Sequence, residues 1–155
     1  MQKDNDTLAT QDDIDAWMAL VAGVRQEFPG LETQRDLDAH RETVLRFMDE
    51  GRALCVKDRW AIKGVLLLSK KHNMICCLAV AAEYRRRGIA SALMNRAISM
   101  LDSDRDITVT TFRADDPKGD APRALYRRYG FEADELCMEL GYPTQRFVRR
   151  AGREA

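Results

Sequence analysis

From Asp12 to Glu27 the apolar residues Ile14, Trp17, Met18, Val21 and Val24 fall three and four apart, which predicts one amphipathic helix. Its acidic opening suits a helix N-terminus, and Pro29-Gly30 supplies a stop. A second helix is predicted from about Arg35 to Glu50, with Leu37, Val44, Leu45 and Met48 as its stripe and Gly51 as its cap. The segment PGLETQ joins the two into a helical pair.

The period then shortens. ALCVKD (53–58) and WAIKGVLLLSK (60–70) read as strands around an Asp58-Arg59 corner, KHN (71–73) as a turn, and MICCLAVA (74–81) as a third strand. Helical spacing returns from Gly88 to about Leu101, where Ile89, Leu93, Ala97 and Leu101 share a face. DITVTTF (106–112) is rich in β-branched residues and reads as a strand. After the loop RADDPKGDAP (113–122), Pro122 opens a helix that Gly130 closes. LCMEL (136–140) and RFVRR (146–150) are short strand candidates.

This order predicts a mixed α/β sheet. The strands of 74–81 and 106–112 lie parallel in it, joined by a right-handed helical crossover. A length of 155 residues suits one domain over 1–155, with residues 1–11 and 151–155 frayed. Twenty-five basic residues balance 25 acidic ones, so no global field draws the chain to nucleic acid or a membrane surface. No apolar run approaches the ~18 residues of a membrane span, the polar opening MQKDNDTLATQDD is not a secretory signal, and a cytoplasmic setting is expected. Cys55, Cys76, Cys77 and Cys137 show no metal-site or disulfide spacing.

The segment ICCLAVAAEYRRRGIASALMNRA (75–97) carries the candidate chemistry. A strand that runs through a glycine turn into a helix leaves free amides at the helix start, where the helix dipole also favours an anion. Arg85, Arg86 and Arg87 add positive charge, and Gly88 and Ala90 let a ligand approach the backbone closely. A phosphate or pyrophosphate fits such a turn. Neither G-x-x-x-x-G-K-[ST] nor a strand-following G-x-G-x-x-G is present.

The R-x-x-G-x-A spacing of Arg85, Gly88 and Ala90 after LAVAAEY resembles the acyl-CoA signature of the GNAT N-acetyltransferase family. ALYRRYGF, one strand later, resembles that family's second signature, and the resemblance spans roughly Ala53 to Phe131. It implies a single-domain, mostly antiparallel sheet whose central parallel pair splays for acyl-CoA, flanked by about four helices. It also implies that acetyl-CoA binds with its pyrophosphate on the amides of Arg86, Arg87, Gly88, Ile89, Ala90 and Ser91, and its pantetheine arm along Leu78, Ala79 and Val80. The implied reaction is direct attack of an amine on the thioester, with Tyr126 as general acid. No metal is implied. The acceptor is a small-molecule or peptide amine, and dimers are common among relatives, so a homodimer is compatible.

Two positions depart from the family pattern. No carboxylate lies between Met74 and Ala82, where some members place a glutamate; Glu83 falls beyond the strand, and Glu32, Asp115, Asp116 and a water chain stay open as the base. Many relatives carry an asparagine in the loop before the Tyr126 helix. Here Gly119 stands in its place, with Lys118 or loop backbone as substitutes. Cys76 and Cys77 read as small buried hydrophobes on opposite strand faces, and Arg123, Arg127 and Arg128 as solvated. The leading helices and PGLETQ are expected to wall the acceptor site. The rival readings are a non-catalytic acyl-CoA sensor and an arginine-based nucleic-acid binder, the latter disfavoured by the zero net charge and 7% aromatic content.

Overall fold

A strand buried on both faces reads as a near-continuous apolar run, and the segment 62–69 comes close: every residue from Ile62 to Ser69 is buried, and its one charge, Lys63, is answered by Asp58. The computed structural model describes residues 5–28 and 30–152. In it this strand, β3 (Ile62–Ser69), pairs antiparallel with β2 (Ala53–Lys57) on one edge and β4 (Met74–Val80) on the other. The meander read from the sequence is therefore present.

Successive residues of β2 and β3 project to opposite faces and feed two cores. Cys55, Val65 and Leu67 meet Trp17 and Val21 of α1 (Ile14–Gly23) and Val44 and Met48 of α2 (Gln34–Asp49). Leu54, Leu66 and Leu68 meet Leu93, Met94 and Ala97 of α3 (Ile89–Met100) on the other side. Complete burial of each such side chain contributes about 1.5–3 kcal/mol. β5 (Ile107–Phe112) follows α3 and lies parallel to β4, as the crossover predicts.

α4 spans Asp120–Arg128, and β6 (Glu132–Glu139) and β7 (Tyr142–Arg149) complete the chain order. With β1 (Asn5–Leu8), the described residues form one seven-stranded sheet in the order β1-β2-β3-β4-β5-β7-β6. β4 and β5 are its parallel pair. Among the described residues no helix is long and apolar enough to cross a membrane.

Several boundaries differ from the sequence reading. The expected frayed start instead forms β1, paired antiparallel with β2 from Asn5↔Lys57 to Leu8↔Leu54. At the other end, Ala151 N donates to Asp106 Oδ1 at 2.7 Å and Gly152 N to Ser103 O at 3.0 Å, so the tail is tied down that far. Residues 1–4 and 153–155 lie outside the described residues, as does Pro29 of the expected helix stop. The single helix over 12–27 is divided into a 3-10 turn (Gln11–Asp13), α1, and a second 3-10 turn (Arg25–Glu27). α4 begins two residues before Pro122, whose missing N–H falls in a first turn that needs none. β6 and β7 are each longer than expected because they zip together around Leu140 and Gly141. Both of those residues have positive φ (51° and 78°), the two-residue turn geometry that suits a twisted hairpin.

Candidate active site

β4 and β5 are bridged only at Met74↔Thr108 and Ile75↔Val109. Beyond those pairs the strands part, and a cleft of about 790 Å³ opens between Cys76–Val80 on one side and Val109–Phe112 on the other. Two features produce the divergence. At its closed end, Asn73 donates from Nδ2 to Asp102 O at 2.9 Å and Asp106 O at 3.1 Å, while its Oδ1 accepts from Asp102 N at 2.8 Å. Beyond it, the β3–β4 register slips so that Leu67 faces Cys77 while Leu68 faces Ile75, which leaves Cys76 as the extra residue of a β-bulge.

The bulge overturns the reading of both cysteines as buried hydrophobes. Cys76 is exposed, Cys77 is half-buried, and both line the cleft. Desolvation by the surrounding protein, partial at Cys76, pushes the thiols up to about 11 and about 12, so neither is a ready thiolate nucleophile.

The far end of the cleft is the arginine turn. A 3-10 turn (Ala82–Tyr84) leads to Arg85 in extended conformation, Arg86 at φ +65° and Gly88 at φ +78°, and α3 begins at Ile89. A left-handed Gly88 turns the following amides outward at no steric cost. The first amide after the turn to find an acceptor is that of Ala92, which donates to Gly88 O at 3.0 Å. The head of α3 sits tightly on the sheet: a Cβ at Gly64 would lie 2.6 Å from Ile89 Cγ2.

The three arginines differ in placement. Arg85 pairs with Glu27 and donates from Nε to Val80 O at 3.3 Å, so it also ties the turn to the α1–α2 segment. Arg86 lines the cleft. Arg87 stands over the Tyr84 ring at 5.5 Å and is off the cleft wall, with Lys63 at 5.0 Å from that ring. Leu78, Ala79, Val80, Gly88, Ile89, Ala90 and Ser91 all contribute to the wall, so the structure gathers every sequence-selected residue except Arg87 around one cavity.

Tyr126 reaches this cavity from α4. Phe131 N donates to Tyr126 O at 3.0 Å and Gly130 N to Arg127 O at 3.0 Å, with Gly130 at φ +83°. That is the Schellman cap of the helix, so the Gly-Phe after Tyr126 anchors the very turn that carries it. The phenol is 5% exposed, between the rings of Phe131 and Phe147 at 6.0 and 6.1 Å. Burial, then the nearby Cys77 thiol, raises its pKa above the ordinary tyrosine value and keeps it protonated. No side chain or carbonyl among the described residues accepts from its hydroxyl.

Arg123 is a correction. Instead of being solvated it is 6% exposed, and its Nη1 donates to Phe112 O at 3.2 Å and Gln145 Oε1 at 2.8 Å. Its packing explains Gly119. A Cβ there would lie 3.0 Å from Phe112 O and 3.2 Å from Arg123 Cδ, so a side chain at 119 would require its neighbours to give by a few tenths of an ångström. Arg128 reaches the cleft wall, while Arg127 is exposed.

Two polar groups on the wall escaped sequence reading. Glu139 ends β6 as an exposed residue on the cleft wall, and partial desolvation there raises its carboxyl above the usual carboxylate value. Thr144 is 1% exposed, lines the cleft, and has a buried Oγ1 with no partner. A glutamate in an unremarkable LCMEL segment carries no local signal, since only the β6–β7 register brings it to the cleft. The loop acids behave differently. Asp116 accepts from Lys118 N at 3.0 Å and from Tyr142 Oη at 2.9 Å, Asp115 is on neither wall, and Glu32 opens onto a second chamber.

That chamber, about 310 Å³, adjoins the cleft through Phe28, Phe112 and Lys118. Arg25, Leu31 and Tyr142 add to its wall, so the α1–α2 segment covers the β5–β7 surface there.

A family model described as an acetyltransferase (GNAT) domain matches residues 48–133. Solved structures share the fold. An acetyltransferase of the GNAT family from Bacillus cereus ATCC 10987 aligns with TM-score 0.75 and 22% identity over 98% of this chain and 100% of its own. The PaiA N-acetyltransferase of Thermoplasma acidophilum, solved in complex with coenzyme A, aligns at 0.72 and 11% over 96% and 99%. The ribosomal-protein-S18-alanine N-acetyltransferase of Escherichia coli aligns at 0.71 and 13% over 99% and 97%. No curated protein matches the chain by sequence. The matched segment is more than half of the chain and includes the arginine turn, the parting strands and Tyr126: this protein is an acetyltransferase of the GNAT family.

Proposed function

We propose that the chain transfers an acetyl group from acetyl-CoA to the amine of a separate acceptor by direct attack, without an acyl-enzyme. The observation that carries this reading is the continuity of one cleft, from the free amides behind Gly88, along the unpaired edge of β4, to the phenol of Tyr126. The fit rests on chemistry in this chain. Amides at the head of a 12-residue helix suit a pyrophosphate, and a strand edge that parts from its neighbour leaves backbone groups for an extended amide-bearing arm.

Acetyl-CoA supplies an activated acyl carbon and a thiolate leaving group. The amides of Arg86 to Ser91 hold the diphosphate, and the backbone of Leu78, Ala79 and Val80 aligns the pantetheine and donates to the thioester oxygen. Glu139, with its raised pKa, takes the proton that the attacking amine releases, and the unpartnered Thr144 hydroxyl orients that amine. Tyr126 gives its proton to the departing sulfur as the C–S bond breaks, which its protonated state permits. The C–N bond forms, one proton leaves the amine, and one reaches the thiolate.

Calorimetry with CoA and acetyl-CoA, followed by a thiol-release assay over an amine panel, tests this reading. Micromolar cofactor binding with amine-dependent thiol release is expected. Binding without release from any amine would leave an acyl-CoA sensor instead, and absence of binding would defeat both.

A further inference from the structure

We infer that the acceptor is a small amine bearing a carboxylate, an amino acid in the broad chemical sense. Lys118 and Arg25 hold that carboxylate in the second chamber, while the amine meets Glu139 and Thr144. The inference rests on the acetyl-transfer reading and adds the class of its substrate.

Several cations of this chain are answered by acids. Lys57 meets Asp13, Lys63 meets Asp58, Arg85 meets Glu27, and Arg146 meets Asp134. Lys118 is not one of them. Its ammonium stands 5.8 Å from the Phe112 ring and 5.7 Å from the Tyr142 ring, with no carboxylate at ion-pair distance among the described residues. Of the two acids two residues away, Asp116 is already engaged by Lys118 N and the Tyr142 hydroxyl, and Asp120 forms no ion pair with Lys118 among the described residues. Arg25 donates from Nη2 to Glu32 O at 2.6 Å, a contact that leaves its charge unanswered. The chamber thus sets two cations against the single carboxylate of Glu32. Lys118 is exposed, and the Phe112 and Tyr142 rings flank its ammonium where it meets the chamber.

The distance between the two ends also points to a small molecule. Cross-strand pairing places Cys137 with Thr144 and Glu139 with Tyr142, so Glu139, Tyr142 and Thr144 project from one face of the hairpin. Phe112 pairs with Thr144 and shares that face. Tyr142 and Thr144 are two residues apart on one strand, roughly 6–7 Å. One compact acceptor can therefore place its amine at Thr144 and its carboxylate beside Lys118.

The test uses the full chain, saturating acetyl-CoA, and pairs of acceptors that differ only in charge: amino acids of graded length and their carboxamides. The carboxylates are expected to exceed their amides by about tenfold or more in kcat/KM. Lys118→Met should raise KM for the carboxylates by a similar factor, more than it lowers kcat, with CoA affinity measured by calorimetry unchanged. Lys118→Arg should restore much of the preference. Three outcomes would overturn the inference: equal turnover of acids and amides, a Lys118→Met defect in CoA binding instead of acceptor KM, or thiol release with neutral amines alone. Each of these leaves acetyl transfer standing, whereas loss of CoA binding by the unaltered chain would remove that reading itself.

Discussion

The Tyr129 hydroxyl donates to the Ser91 carbonyl at 3.0 Å, and so pins the closing end of α4 to the first turn of α3. Tyr126, one turn earlier on α4, has its ring in the core and its hydroxyl without an acceptor among the described residues. Two tyrosines three residues apart thus differ in what they bond: one ties the helices that flank the cleft, and the other, under the proposed mechanism, is the proton donor.

Removing each hydroxyl should separate these roles. Tyr126→Phe is expected to lower turnover by about 10²–10⁴-fold while CoA affinity and thermal stability hold, because no intramolecular hydrogen bond is lost. Tyr129→Phe should cost about 1 kcal/mol in chemical denaturation and leave turnover within a few-fold. Unchanged turnover in Tyr126→Phe would take that residue out of the acid role.

Glu139 makes the pH dependence specific. Partial desolvation at the cleft raises its carboxyl above the usual value, so the acidic limb of kcat/KM should be displaced upward from that value. Glu139→Gln should flatten that limb and reduce the rate. Stability runs in the opposite sense. A carboxyl whose folded pKa is raised favours the fold while protonated, and that contribution is lost as pH rises through the folded value. Urea midpoints of Glu139→Gln and the unaltered chain should therefore converge in acid and diverge toward neutrality, with the variant more stable there. The same acidic limb in both proteins would exclude Glu139 as the base.

Gly119 should resist the residue that relatives carry. Gly119→Asn places a Cβ 3.0 Å from Phe112 O and 3.1 Å from Phe112 Cβ, and it crowds the buried Arg123. A loss of roughly 1–3 kcal/mol in urea denaturation is expected, with no gain in CoA affinity. A tighter-binding, equally stable variant would show that the loop can adopt the family arrangement.

Asn73 holds the point from which the parallel strands diverge. It is 1% exposed, sits at φ +52°, and bonds the 102–106 segment through both ends of its amide, while its carbonyl accepts from Thr108 N at 3.3 Å. Asn73→Ala should cost about 2–4 kcal/mol, since several buried groups lose their partners at once. Asn73→Gly relieves the backbone but not those groups, so it should recover only a small part. Full recovery by glycine would assign the effect to φ alone.

Where chemistry is local, the chain announces it. Arg85 to Ser91 and the Tyr126–Phe131 segment were legible because a left-handed glycine at a helix start and a Gly-Phe cap at a helix end are made within a few consecutive residues. The meander was legible for a related reason, since its strands are neighbours in sequence and both faces are apolar. The expected frayed N-terminus failed because a polar tetrapeptide becomes a strand only when another strand offers it an edge.

By itself, then, the sequence determined the alternation of helices and strands, the arginine turn at the head of α3 and the place of Tyr126 one turn before a Gly-Phe cap, all of which depend on contacts along a short stretch of backbone. Tertiary structure decided the insertion of β7 between β5 and β6, the bulge that turns Cys76 and Cys77 to the cleft, the burial of Arg123, and the convergence of Glu139, Thr144 and Lys118 on the cleft wall. Strand register and helix docking are settled by distant partners competing for the same hydrogen bonds and the same apolar face. No window of consecutive residues contains that competition.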